Sequence, residues 1–150
     1  MEVGDKVPDL LGKDQDGKEL RLSDFPGKKI ALYFYPKDMT SGCTAQACNL
    51  RDNREALAAA GYQVIGVSVD SEDRHKKFIE KNELNFPLIA DTDHRLVEQF
   101  GVWGEKSMCG RKYMGTLRTT FLISPDGIVE RIIGPKQVKT KDHAAQILKG

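Results

Sequence analysis

The sequence lacks several features that would assign it to a particular class of protein. No apolar stretch approaches the roughly 20 residues needed to cross a bilayer, and residues 1–5 lack the charged-then-apolar layout of a signal peptide. The 23 basic and 22 acidic residues leave a formal net charge of only +1. Nucleic-acid-binding proteins carry a clustered basic excess. We therefore expect a soluble, cytoplasmic protein with neither a membrane nor a nucleic-acid partner.

Cysteine is scarce, and the three present are an odd number. The 150 residues are enough for one domain, residues 1–150, with a core that needs no covalent staples. A permanent disulfide framework is therefore not expected, and redox or catalytic use gains weight. No paired Cys-x-x-Cys motifs are present, and His75, His94 and His143 are scattered singly among charged residues. We predict surface histidines and no metal site.

Two near-continuous apolar runs, residues 29–35 and 62–69, predict buried strands of a parallel sheet, because strands covered on both faces show no alternation. Residues 40–60 between them contain no proline and several alanines, which predicts a helix that stops near Gly61. The order strand, helix, strand indicates a right-handed crossover between parallel strands.

The rest of the chain continues this α/β pattern. The remaining predicted elements are a helix over 72–82 after the N-cap Ser71, a strand over 85–90, a helix over 94–100, strands over 119–123 and 128–133, and a helix over 143–149. The turn residues 125–127 join the last two strands as a hairpin, and Asp16-Gly17 predicts a small N-terminal hairpin. Together these elements predict a thioredoxin-like α/β fold, with a central mixed sheet flanked by helices.

Cys43 lies where the first buried strand passes into the following helix. In the first turn of a helix, free N–H groups and the helix dipole stabilise negative charge. A thiol placed there loses its proton more readily than free cysteine, and the thiolate is the reactive form. Most intracellular free cysteines are instead small buried hydrophobes, so position alone does not decide between a reactive and an inert Cys43.

Pro36, Thr40 and Cys43 form the pattern Pro-x-x-x-Thr-x-x-Cys, and with this motif the chain resembles the peroxiredoxins. The resemblance implies that the Thr40 hydroxyl hydrogen-bonds the sulfur and the incoming peroxide, and that Pro36 shields the site. Arg118, directly before the strand predicted over 119–123, matches the arginine that the family places beside the thiolate. Its permanent positive charge would favour the thiolate and orient a peroxide oxygen.

The chain is similar to one branch in particular, the Q-type or bacterioferritin-comigratory peroxiredoxins. The similarity is carried by residues 33–38, 42–44, 47–48, 51–52, 66–71, 101–106 and 113–115. Ser41 stands where the branch has proline, Gln46 where it has glutamate, and Cys109 where we expect tyrosine. Ser41 affects the shape of the active-site turn, and Gln46 removes any role that an acidic side chain would have at that position. Neither change alters the thiol chemistry.

Cys48 lies five residues after Cys43, the spacing of the resolving cysteine in this branch. The resemblance implies a thiol-dependent peroxidase for hydrogen peroxide and organic hydroperoxides, in which the Cys43 sulfenic acid condenses with Cys48 into an intramolecular disulfide. It further implies recycling by a thioredoxin-type reductant and no metal or organic cofactor. We expect a monomer. The alternative for Cys48 is a thiol of the helix interior, and Cys109 is interpreted as incidental.

Two other functions share some of these features. A general thiol–disulfide oxidoreductase would have the same fold but usually carries Cys-x-x-Cys at this junction, whereas Thr44 and Ala45 follow Cys43 here. A non-enzymatic redox-sensing or chaperone-like domain would use the same cysteine, but it gives no reason for Thr40 and Arg118 to accompany it.

The spacing of the two cysteines also predicts motion. If both lie in one continuous helix, their Cα atoms are about 8–9 Å apart and point to different faces. A disulfide needs Cα atoms within about 7 Å. We therefore expect part of residues 40–49 to unwind when the bond forms.

Overall fold

Five strands form the central sheet in the computed structural model, which describes residues 1–149. In order across the sheet they are β5 (Leu88–Ala90), β4 (Tyr62–Ser68), β3 (Lys29–Phe34), β8 (Thr119–Ile123) and β9 (Val129–Ile133). β3, β4 and β5 run parallel, whereas β8 and β9 are antiparallel to their neighbours. The sheet is therefore mixed, and the predicted thioredoxin-like fold class is confirmed.

Two short hairpins lie outside this sheet. β1 (Leu10–Lys13) and β2 (Glu19–Arg21) form the predicted N-terminal hairpin. β6 (Trp103–Met108) and β7 (Arg111–Thr116) form a second hairpin that the sequence did not predict. The first four residues of β7 are exposed, so the hairpin shows no alternation of apolar and polar residues that could have revealed it. Cys109 and Gly110 make its turn, both with positive φ.

The helices are α1 (Ser41–Asp52), α2 (Arg54–Ala59), α3 (Glu72–Asn82), α4 (Arg95–Gln99) and α5 (His143–Leu148). The prediction of one continuous helix over residues 40–60 was wrong, because the helix is interrupted at Asn53. The Asn53 side chain donates to the Asn49 carbonyl oxygen at 2.8 Å, a local bond that competes with the helical pattern. The predicted cap of α3 is confirmed, since the Ser71 hydroxyl accepts from the Arg74 amide at 3.2 Å.

Each face of the sheet is covered by its own hydrophobic layer. Ile30, Leu32 and Phe34 of β3 point to the layer that also contains the N-terminal hairpin and α4. Ala31 and Tyr33 point to the opposite layer, formed with α1, α2, α3 and α5. β3 is thus buried on both sides, which is why its sequence reads as a continuous apolar run. Cys43 belongs to the second layer.

The prediction that the histidines lie on the surface is wrong for two of the three. His75 and His143 are both completely buried, and His94 is half-buried against Trp103. His75 lies one turn before Phe78 on the inner face of α3, and the charged residues around it occupy the outer face. None of the helices in the described part of the chain has the length and apolarity to span a membrane.

Candidate active site

Cys43 lies in the first turn of α1 with only 1% of its surface exposed. The first helical hydrogen bond runs from the Thr44 amide to the Thr40 carbonyl oxygen at 2.9 Å, and the Thr40 side chain does not cap the helix. Within residues 1–149, the amides of Gly42 and Cys43 have no hydrogen-bond partner. The sulfur therefore lies at the positive end of the helix dipole, as the sequence predicted.

Arg118 reaches Cys43 from the segment between β7 and β8. One guanidinium nitrogen, Nη2, lies 3.2 Å from the Cys43 sulfur, and Nη1 donates to the Gln46 Oε1 atom at 2.6 Å. Cys43 and Gln46 are three residues apart on one face of α1, so the planar guanidinium spans both. The fold thus brings together Cys43 and Arg118, which are 75 residues apart in sequence.

Gln46 keeps the contact that an acidic residue would make, without its charge. Its amide oxygen accepts from Arg118, while its amide nitrogen is buried and has no partner among the described residues. In the part of the chain that the structure describes, no carboxylate lies within salt-bridge distance of Arg118. The positive charge of Arg118 is therefore not neutralised by an acid and acts on the sulfur beside it.

Thr40 and Pro36 lie in the loop that leads from β3 into α1. Pro36 is half-buried and Thr40 is exposed. The Thr40 hydroxyl donates to the Lys37 carbonyl oxygen at 3.1 Å. It makes no bond to Cys43 within residues 1–149. The roles of Pro36 and Thr40 in peroxide binding remain predictions.

Cys48 lies in the same continuous helix as Cys43 but contacts a different part of the fold. Its half-buried sulfur lies 3.8 Å from the Oδ1 atom of Asn82, at the end of α3, whereas Cys43 faces Arg118. Both cysteines are free thiols. Cys109 is exposed in the turn between β6 and β7. The sequence-based expectation that helix α1 holds Cys43 and Cys48 apart is consistent with these contacts.

Two further side chains near Cys43 were not assigned a role from the sequence. The buried Tyr33 hydroxyl has no hydrogen-bond partner among the described residues. Burial, followed by the charges of Cys43 and Asp38, raises the pKa of Tyr33 well above its usual value. Lys106 of β6 donates to the Thr116 carbonyl oxygen at 3.0 Å. Burial and the Arg118 charge lower the pKa of Lys106, while Cys43 acts in the opposite direction.

Lys106 is a half-buried cation of the hairpin that precedes Arg118 in the chain. Lys106 falls within residues 101–106, one of the segments that resemble the peroxiredoxins. That resemblance was the only feature of the sequence that could have indicated a role for Lys106 at the site. Within residues 1–149, no three His, Cys, Asp or Glu side chains are grouped so that they could hold a metal ion.

Known proteins are similar to this chain over most or nearly all of its length. The AhpC/TSA family matches residues 3–132. Peroxiredoxin Bcp of Escherichia coli is 47% identical, with 99% of this chain and 94% of the relative covered. A peroxiredoxin Q variant from Xanthomonas campestris superposes with a TM-score of 0.87 at 35% identity, covering 99% of this chain and 94% of that one.

A second Xanthomonas campestris structure concerns the alkyl peroxide reduction activity of the bacterioferritin comigratory protein. It superposes with a TM-score of 0.83 at 34% identity, covering 97% of this chain and 96% of that one. The family match, the curated relative and the solved structures agree with one another. The chain therefore belongs to the AhpC/TSA family, in the Q-type (bacterioferritin-comigratory) branch of the peroxiredoxins, which are thiol-dependent peroxidases.

Proposed function

We propose that Cys43 is the sulfur that attacks peroxide and that Cys48 resolves the oxidised form. The observation that carries this assignment is the contact of 3.2 Å between Arg118 Nη2 and the buried Cys43 sulfur. Neither Cys48 nor Cys109 has a cation bonded to its sulfur among the described residues. A thiolate paired with a guanidinium at a helix N-terminus is an activated nucleophile.

In the first step, the Cys43 thiolate attacks one peroxide oxygen as the O–O bond breaks. The sulfur gains that oxygen and becomes a sulfenic acid, and the other oxygen leaves with a proton as water or an alcohol. Arg118 and the free amides of Gly42 and Cys43 are in place to stabilise negative charge on the leaving oxygen. The exposed Thr40 hydroxyl can rotate from the Lys37 carbonyl oxygen to a bound peroxide.

In the second step, the Cys48 thiolate attacks the sulfenic sulfur of Cys43. The S–S bond forms, the S–O bond breaks, and the oxygen leaves as water after taking a proton. A thioredoxin-type dithiol then reduces the disulfide by thiol–disulfide exchange and is itself oxidised. Both cysteines of the peroxidase return to thiols, and the cycle uses neither a metal nor an organic cofactor.

The substrates we propose are hydrogen peroxide and organic hydroperoxides. The alkyl peroxide reduction activity of the Xanthomonas campestris relative supports the second class. We further propose that the protein acts in the cytoplasm as a monomer. A general thiol–disulfide oxidoreductase is disfavoured, because Cys48 is separated from Cys43 by more than one helical turn rather than by two residues.

Peroxide consumption with dithiothreitol as the electron donor tests this proposal. We expect turnover by the wild-type protein and by Cys109→Ser, and none by Cys43→Ser. Thioredoxin with its reductase then replaces dithiothreitol, and we expect turnover to depend on Cys48. Consumption of peroxide by Cys43→Ser at the wild-type rate would show that the nucleophile is assigned wrongly. Disulfide reduction without peroxide consumption would favour the oxidoreductase alternative.

A further inference from the structure

Asp38, in the loop between β3 and α1, is a buried acid that the thiol chemistry does not use. Only 1% of its surface is exposed, and hydrogen bonds satisfy its carboxylate, its backbone amide and its carbonyl oxygen. Its carboxylate accepts from the Tyr35 hydroxyl at 2.5 Å and lies 2.6 Å from His75 Nδ1. Its amide donates to Asp70 Oδ2 at 2.7 Å, and its carbonyl oxygen accepts from Arg74 Nη2 at 3.1 Å. The loop is therefore tied to α3 and the end of β4 through a single residue.

His75 extends this connection to the next strand. The side chains of Asp38 and His75 are both completely inaccessible to solvent, and His75 Nε2 lies 2.9 Å from the Ile89 carbonyl oxygen in β5. A carbonyl oxygen only accepts, so Nε2 carries a proton. A second proton must then lie between Asp38 and His75 Nδ1, on one partner or the other. Wherever that proton lies, the result is a short hydrogen bond in an environment without access to solvent.

The residue after Asp38 has an unfavourable backbone conformation. Met39 has a φ of +66° and lies 39% exposed. A side chain other than glycine in this left-handed region costs energy and persists only where the surroundings hold it. Thr40 returns to an extended conformation, with φ −84° and ψ 156°, and α1 begins at Ser41. Asp38 is therefore followed directly by the strained residue through which the chain enters the helix that carries Cys43.

We propose that Asp38 and His75 are positioning residues for the reaction of Cys43 with peroxide. This anchor pair holds the loop so that Cys43 faces Arg118, and it keeps the loop in place when α1 unwinds to form the disulfide. The inference rests on the proposed role of Cys43 as the nucleophile. Buried ion pairs are weak evidence for stability, because apolar replacements often serve as well. A role in setting one precise loop geometry accounts for such a pair here.

The test compares anchor variants with matched variants elsewhere in the fold. Asp38→Asn and His75→Gln alter the anchor pair. Asp91→Asn is matched to the first, since Asp91 is a buried carboxylate bonded to two amides of α4. His143→Gln is matched to the second, since His143 is a completely buried histidine of α5. For each, the rate constant of Cys43 oxidation under excess peroxide is measured by rapid quench and mass spectrometry, together with the melting temperature.

We expect the anchor variants to lose roughly 10²-fold in this rate constant, the effect of misplacing a reacting group by about 1 Å. The matched variants should keep the wild-type rate constant even where they lose as much in melting temperature. Alkylation of Cys43 by iodoacetamide gives a second readout, and its pH profile should move to higher pH in the anchor variants only. Because the pair acts as a unit, the double variant D38N/H75Q should be no slower than the slower single variant.

A rescue experiment separates positioning from folding. Met39→Gly removes the cost of the positive φ, so it should restore part of the rate constant to Asp38→Asn. If both anchor variants fail to fold, Tyr35→Phe, which removes only one donor to Asp38, should slow Cys43 oxidation in the same direction. Rate constants equal to those of the matched variants, or an unchanged rate in Tyr35→Phe, would overturn the proposal. Peroxide consumption by Cys43→Ser would instead overturn the proposed function.

Discussion

The two halves of α1 hold their cysteines in different ways. At the N-terminal end, Cys43 is buried, bonded to Arg118 and preceded by a loop that Asp38 ties down. Five residues later, Cys48 is half-buried, and the one hydrogen bond of its sulfur among residues 1–149 is a long contact of 3.8 Å to Asn82 Oδ1. A fixed sulfur suits attack on a small peroxide, because attack needs a preset geometry. A weakly held sulfur suits resolution, because it has to move.

Removing one sulfur at a time should reveal the largest difference between Cys43 and Cys48. Cys43→Ser should abolish both the first oxidation and turnover, since serine at this position offers no thiolate. Cys48→Ser should keep the first oxidation and accumulate the Cys43 sulfenic acid, since only the second step is lost. Mass spectrometry after one equivalent of peroxide distinguishes the two. Accumulation of a sulfenic acid on Cys48 in the Cys43→Ser variant would reverse the assignment of the two thiols.

Removing the positive charge of Arg118 should slow the reaction of Cys43 with peroxide and leave the reactivity of Cys48 unchanged. Arg118→Ala is expected to slow peroxide attack by about 10²–10³, or roughly 2.7–4 kcal/mol of transition-state stabilisation. Arg118→Lys should recover only part of this, because lysine lacks the planar fork that also reaches Gln46. Stopped-flow rates of Cys43 oxidation, with thermal unfolding as the control for stability, measure the effect. A wild-type rate constant in Arg118→Ala would contradict a role for this residue in the reaction.

Formation of the disulfide should open the helix but not the loop before it. Both cysteines lie in α1, where helical geometry keeps them too far apart to bond. Hydrogen exchange should therefore show a loss of protection at the amides of residues 43–50 on oxidation. The Asp38 amide, bonded to Asp70, should stay protected.

Two results would contradict that expectation. Unchanged protection of residues 43–50, with a Cys43–Cys48 disulfide confirmed by peptide mapping, would mean that the helix does not have to open. A mapped bond between Cys43 and Cys109 would mean that the resolving cysteine is a different residue. In Cys48→Ser, oxidised to the sulfenic acid, protection should remain as in the reduced protein.

The sequence predicted those parts of the fold in which burial leaves a periodic or continuous pattern. The central strands β3 and β4, the cap of α3 at Ser71 and the final hairpin of the sheet all lie close to their predicted bounds. The break between α1 and α2 at Asn53 was missed because no proline or glycine marks it in the sequence. The β6–β7 hairpin was missed because most of β7 is exposed.

The site was predicted where a motif carried it and missed where tertiary packing created it. Cys43 and Arg118 were identified by resemblance and are in contact. His75 was expected on the surface because charged residues surround it in sequence, yet it is completely buried beside Asp38. A buried histidine needs a hydrogen-bond partner, and the sequence near α3 does not indicate one. The helical period of α3 places His75 on the same face as Phe78, but the partner that satisfies a histidine there, Asp38, lies 37 residues earlier in the chain.

The smallest expected effect concerns how α5 supports the Cys48 half of α1. The Ala144 amide donates to Asn49 Oδ1 at 2.8 Å, and Asn49 Nδ2 donates to the Lys141 carbonyl oxygen at 3.0 Å. His143, at the start of α5, is completely buried and lies 2.7 Å from Thr120 Oγ1. Burial lowers the pKa of His143 below its ordinary value of 6.5. The support that α5 gives to α1 should therefore depend on pH.

Below pH 6.5 the unfolded chain binds a proton at His143 that the folded chain resists, so acid favours unfolding. The stability that this group contributes is complete above pH 6.5 and is lost as the pH falls below it, by at most about 1.4 kcal/mol per pH unit. Urea unfolding at pH 7.5 and pH 5.5 should show a smaller loss on acidification in His143→Gln than in the wild type. The same acidification should increase hydrogen exchange near Cys48 more than near Cys43, because only the C-terminal half of α1 is held by α5 through Asn49. Equal losses of stability in the two proteins would exclude His143 as the source of the pH dependence.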